Sequence, residues 1–399
     1  MDASAYNNKM ADAPWSVRTH LGVWALAGGS FALVGAEFLP MGLLTPIAHG
    51  LNVSEGLAGQ TVTATAATGA VAALFAALAA GRLDRRYVLF AFAGLAVVSN
   101  ALAAFAPSIG WLLVARLFLG AAIGGFWSMA AAIAQHVATP ATVGRAMSIV
   151  FAGVSLATIA APPAGALLAA SLSWRAAFVA AGIAAVVVAV LQAVVLPKLA
   201  PEGATRFGAV LGLLRHGGVR RGLVMVLLLA GGHFAAFTFI RAALEASHPS
   251  AAILSGELLL FGVANFAGNL VFGRFVDRHV RGVIGLAGVM LGAAVALSWL
   301  AASSILAVAA AVAVWGFAFG GVPIGVQMWM AKAAPERLEA VGGLMVAMFQ
   351  VAIATGAAVG GALFDRFGLG GPFALSATAA VLAAGVAVVS GPQGDRRGP

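Results

Sequence analysis

Glu37 stands inside the apolar stretch "VGAEFLPMGLLTP" (residues 34–46) with no cation beside it in the sequence. A charge near the middle of a bilayer-length run costs ~3 kcal/mol on insertion scales, so such a residue faces a partner, a cavity or a proton path. A carboxyl that trades its charge for a proton escapes that cost. Protonation then competes with whatever else the site binds, which is the chemistry that proton coupling needs. The plainer alternative is a helix-end acid touching headgroup water.

Two arginines are candidate partners in proton coupling. Arg116, Gly120, Ile123 and Trp127 share one helical face at i, i+4, i+7 and i+11. A guanidinium there keeps its charge at any accessible pH, so it suits a deprotonated carboxylate, a substrate, or simply facing carbonyls. Arg241 lies one residue from the position that mirrors Glu37 when "LAGGSFA" (26–32) is laid on "LAGGHFA" (229–235). It either meets Glu37 across a pore or snorkels at a helix end.

Polar and aromatic side chains at helical spacing supply the substrate-binding candidates. His233, Phe237 and Arg241 recur every four residues, as do Glu257, Phe261, Asn265 and Asn269. Polar groups facing lipid are costly, so both stripes are expected to point inward. A flat ring would stack on Trp127 or Phe237, with His233, Asn265, Asn269, Gln327 and Gln350 meeting polar edges. Helix-to-helix glue is the competing role for each amide. Glu257 also suits the positive end of a helix dipole.

These residues need spans to hold them, and composition supplies spans. Of 399 residues 62% are hydrophobic and 9% charged, against about 25% charged in a typical soluble domain. Twelve apolar runs of bilayer length are expected at 19–40, 56–80, 87–106, 110–137, 143–168, 174–196, 221–241, 252–276, 282–301, 304–331, 338–363 and 371–390. The first is too long, and lacks a cleavage site, for a removable leader. The fold class is therefore an all-α membrane protein with twelve transmembrane helices.

The formal charge of +9 is explained by topology. Of the 22 basic residues only Arg175, Arg241 and Arg366 fall in connections on one side, Arg116 lies within a span, and the rest fall on the other side. The positive-inside rule then places both termini in the cytoplasm of a multi-pass inner-membrane protein, and nucleic acid is not an expected partner. No cysteine is present, which removes disulfide and thiolate-metal chemistry. No Walker-type loop, His-Glu-x-x-His or Gly-x-Ser-x-Gly occurs, so neither an ATP-driven pump nor a hydrolase is expected, and no cofactor is.

The chain divides into a cytoplasmic tail (1–18), a six-helix half (19–196), a cytoplasmic linker (197–220), a second six-helix half (221–390) and a tail (391–399). "GRLDRR" (81–86) follows the second span and "GRFVDR" (273–278) the eighth. With the "LAGG" pair, this order argues for a parallel repeat about an axis along the membrane normal, with the substrate at the interface of the halves.

On those motifs the chain resembles the major facilitator superfamily. Arg82, Asp84, Arg85 and Arg86 resemble its loop after the second span, with Tyr87 in place of a glycine. Arg116, Gly120 and Gly124 resemble the pattern of its fourth span, and "WRAAF" (174–178) the start of its sixth. Within the superfamily, "EFLP", "LLTPIA", "SEGLAGQTVTATA", "DRRYV", "GGFWSM" and "FTFIR" resemble the drug:proton antiporters of the sugar and nucleoside efflux group. The antiporter signature of the fifth span appears as "GVSLATIAAPPAGALL" (153–168), with Ala161 where the group has glycine.

The resemblance implies two pseudo-symmetric halves in the major facilitator fold, acting as a monomer. It implies proton-coupled efflux by alternating access, with purine ribonucleosides as substrate and sugar or multidrug efflux as the alternative. It implies gating by Arg82, Asp84 and Arg85, echoed by Asp277 and Arg278, which latch one of the alternating states at the cytoplasmic mouth.

Overall fold

The computed structural model describes residues 15–80, 83–138, 142–196, 198, 212–246, 249–301 and 303–390. They are all-α. Helix α1 (Val17–Phe38) leads through a 3-10 turn (Leu39–Gly42) to α2 (Leu44–Leu51). Then come α3 (Glu55–Ala80), α4 (Arg85–Ala104), α5 (Ile109–Val137), α6 (Val143–Ser171) and α7 (Trp174–Val195). The second half opens with a broken span, α8 (Gly217–Val226), α9 (Gly232–Phe237) and α10 (Ile240–Glu245). It continues as α11 (Ala251–Gly273), α12 (Val276–Leu300), α13 (Ile305–Ala333), α14 (Leu338–Phe367) and α15 (Gly370–Val389).

Among the described residues eleven helices are long and apolar enough to cross a membrane, which makes the chain a multi-pass membrane protein. The helix on the remaining expected span, α3, is not among those eleven. Side chains as large as Val194, Leu306 and Val389 are more than three-quarters exposed on the outside of the bundle. That exposure suits lipid rather than water, because lipid tails satisfy apolar surface and the helices keep their backbone bonds internal.

Ser and Asp residues set several helix starts by accepting a backbone N–H: Ser16 from Thr19, Asp84 from Arg86, Ser173 from Ala176, Ser250 from Ile253 and Ser304 from Ala307. Each satisfies a donor that the first turn leaves open. Glycines set close crossings by letting one helix approach the backbone of another. A Cβ on Gly120 would strike the Thr65 carbonyl and one on Gly316 the Phe261 carbonyl. Thus α3 against α5 is repeated by α11 against α13, as the sequence repeat requires.

Two departures from the expected spans matter for function. The first span runs to Gly42, past the expected residue 40, but its α-helix stops at Phe38, because Pro40 has no N–H to continue α1, and the rest is a 3-10 turn. The seventh, expected as one helix over 221–241, widens into π-type turns at Leu227–Gly231 and breaks again at Thr238–Phe239. Widened turns of this kind recur at functional sites. Here Gly356 of α14 approaches so closely that a Cβ would strike the Gly231 carbonyl.

Candidate functional site

The break in α1 leaves backbone acceptors with no helical donor. The Ala36 carbonyl would bond to the N–H of residue 40, which is a proline. Arg116 of α5 fills the gap: Nη2 donates to the Ala36 carbonyl at 2.9 Å and more weakly to that of Glu37 at 3.5 Å, while Nε donates to Thr65 Oγ1 of α3 at 3.0 Å. Arg116 is fully buried. Of the roles open to it from sequence, the structure shows carbonyl binding, and it ties three helices of the first half at the level of Glu37.

Glu37 is 5% exposed and sits at the seam between the halves. Gln350 of α14 donates from Nε2 to Glu37 Oε1 at 3.4 Å. The same amide lies over Gly69 of α3, where a Cβ would come within 2.6 Å of Nε2. A proton on Glu37 would change which groups can bond there, because a charged carboxyl only accepts and a neutral one also donates. The carboxyl thus lies in direct contact with a side chain of the other half.

Arg241 is spent elsewhere. Its Nε donates to Glu245 Oε1 at 2.8 Å and its Nη1 to the Gly42 carbonyl, which is neither the meeting with Glu37 nor the snorkelling that the sequence left open. The break at Thr238–Phe239 turns the residues beyond it away from the line that a continuous helix would follow.

The two polar stripes point inward: His233 and Asn269 bond within their own half, while Phe237 also meets Phe38 of the first half at 6.3 Å. His233 is sealed in an aromatic cluster: stacked on Phe319 at 3.5 Å and Phe237 at 4.8 Å, with Nδ1 accepting from Trp315 Nε1 at 3.0 Å. Phe237 packs on Phe261 at 4.5 Å. Asn269 donates Nδ2 to the Gly320 carbonyl at 3.3 Å, which is the gluing role. Glu257 lies in the second turn of α11, beyond the short reach of the helix end, and is 4% exposed. Neither of its carboxyl oxygens is hydrogen-bonded among the described residues.

Three candidates stay accessible. Trp127 is half-buried, stacked on Phe151 at 5.4 Å and 21°. Asn265 is half-buried and Gln327 exposed. Among the gating residues, Arg82 lies outside the described residues. Asp84 caps α4, Asp277 lies in the first turn of α12, and the Asp277 carbonyl accepts from Lys332 Nζ. In the antiporter signature, Gly153 packs so tightly that a Cβ would strike the Ala27 carbonyl, and Ser30 Oγ beside it donates to the Val150 carbonyl at 2.7 Å. The signature thus locks α6 to α1.

Thr65, Ser30 and Thr45 were not singled out from sequence, since a threonine or serine in a helix ordinarily bonds back to its own turn. One signal was available: a proline four residues after Ala36 announces a carbonyl in need of a donor.

A model of the Major Facilitator Superfamily matches residues 26–342 and again 222–398. The chain is 37% identical over 374 residues to the purine ribonucleoside efflux pump NepI of Salmonella typhimurium, covering 92% of this chain and 94% of that protein. It is 36% identical over 385 residues to the protein of the same name from Escherichia coli K12, covering 94% and 95%. These matches agree with the resemblance read from the motifs.

Proposed function

Because the chain belongs to the major facilitator superfamily, whose members are transporters and not enzymes, we propose that it exports purine ribonucleosides in exchange for protons by alternating access. The observation that carries the coupling is the bond from Gln350 to Glu37, a single polar contact between a buried acid in one half and an amide in the other.

In this reading Glu37 takes a proton from the outside and gives it up inside. Arg116 holds the broken end of α1 so that the carboxyl keeps its position at the seam. Trp127 offers a face for a flat base, and Asn265, Gln327 and Gln350 offer amide groups to the ribose and base edge. Asp84 and Arg85, with Asp277 and Arg278, stand at the mouth nearest the chain termini, which is the cytoplasmic mouth of an inner-membrane protein oriented by its basic loops. The names of the relatives support the nucleoside.

The test is uptake of labelled inosine into inside-out vesicles whose lumen has been made acid, so that protons leave as the substrate enters, wild type beside Glu37→Gln. Gradient-driven uptake that the variant loses supports both substrate and coupling. Equal uptake by both removes Glu37 from the mechanism. Uptake by neither moves the substrate to sugars or drugs.

A further inference from the structure

At the end of the bundle opposite the termini, the halves are fastened at two points that the transport reading does not use. The first joins α10 to the turn and helix that follow α1. Arg241 donates to the Gly42 carbonyl and to Glu245 Oε1, and Glu245 Oε2 in turn accepts from Thr45 Oγ1 at 2.6 Å. Both members of this pair lie on one helix of the second half, and each is also held by the first half. The second point joins α14 to the start of α3. Asp365 accepts from Ser54 Oγ at 2.9 Å and from the Gly56 N–H at 3.1 Å. A carboxylate from one half thereby serves one open N–H, that of Gly56, at the start of a helix in the other, where the helix dipole also favours it.

Between the two points the halves share an apolar core. Phe239 stacks on Phe364 at 4.7 Å, and Phe239 is buried in one cluster with Leu39, Leu43 and Ala58. Gly59 and Gly361 permit this approach: a Cβ on Gly59 would come within 2.8 Å of the Phe239 ring, and one on Gly361 within 2.8 Å of the Gly56 carbonyl. Glu55 lies within electrostatic range of both Glu245 and Arg241. Arg241 is therefore one of the two cationic groups, with His49, that lie within range of Glu55 at this mouth, and the one that is bonded to Glu245.

We propose that Arg241, Glu245 and Asp365 form a two-point latch that holds this mouth shut, and that both points must release when the mouth opens. The proposal rests on alternating access but on neither the proton nor the nucleoside. Opening would separate Arg241 from Gly42, Glu245 from Thr45, and Asp365 from Ser54 and Gly56. Water replaces those partners only once the apolar layer has parted, so polar release and parting of the core are coupled. Without Arg241 the closed mouth loses two hydrogen bonds and one of the positive charges that face Glu245 and Glu55.

The chain has no cysteine, so label positions can be introduced without background. Phe105 and Phe367 are exposed, one on each half, at the latched end. The experiment measures the distance between spin labels on Phe105→Cys and Phe367→Cys by pulsed electron resonance in the full-length protein in lipid nanodiscs. Arg241→Ala with Asp365→Asn is expected to add a longer-distance population that the parent lacks. Superimposable distributions would overturn the latch. Should that double change prevent folding, Thr45→Val with Ser54→Ala removes the facing hydroxyls with little change of volume. A lengthened population there sustains the proposal and an unchanged one overturns it. No transport is measured, so failure of the nucleoside or proton reading leaves this result standing.

Discussion

Gln350 reaches from the second half of the molecule to the carboxyl of Glu37 in the first, Nε2 to Oε1 at 3.4 Å, at a level where Arg116 fastens the broken end of the first helix. The contact links a titratable group to the relative position of the two halves.

Glu37→Gln keeps the volume and one acceptor but removes the exchangeable proton. Gradient-driven export is expected to vanish while downhill exchange of labelled for unlabelled nucleoside persists. Comparing the two modes in the same vesicles checks it; loss of both would make Glu37 structural.

Arg116→Met should lower stability by several kcal/mol, because it strands the Ala36 carbonyl and removes the bond to Thr65, each costing about 1–3 kcal/mol when buried. Arg116→Lys should recover little, since one ammonium cannot reproduce a fork that reaches two helices. Thermal unfolding of the purified variants in detergent measures both.

Trp127→Ala is expected to weaken binding of a planar solute up to about tenfold, from stacking worth about 0.5–1.5 kcal/mol. Equilibrium binding of labelled inosine to purified protein gives the number, and unchanged affinity returns Trp127 to packing against Phe151.

His233→Phe fills the same slot in the aromatic cluster but orphans the Trp315 indole N–H. The expected result is a loss of about 1–3 kcal/mol in stability with substrate affinity unaltered. A matched pair of melting and binding curves separates this from a role in substrate contact.

The membrane class, the two-half plan and the presence of an acid, Glu37, within an apolar run were legible in the chain itself. Hydropathy and charge asymmetry act over whole segments, and an acid in an apolar run carries its cost wherever it sits. The repeat was legible too, and the crossings of Gly120 on Thr65 and Gly316 on Phe261 give it physical form. Helical spacing further indicated that the stripes through His233 and Asn269 face inward.

What spacing does not say is which interior they enter. His233 went into the aromatic core of its own half, Phe237 lies in that core and against Phe38 of the first half, and Asn269 went onto a neighbouring backbone. Arg241 went to Glu245 and Gly42 because the seventh span breaks just before it. Helix periodicity fixes a direction around one axis. Partners across a seam depend on where other axes lie and where each helix stops, and only the tertiary packing of the two halves decides that.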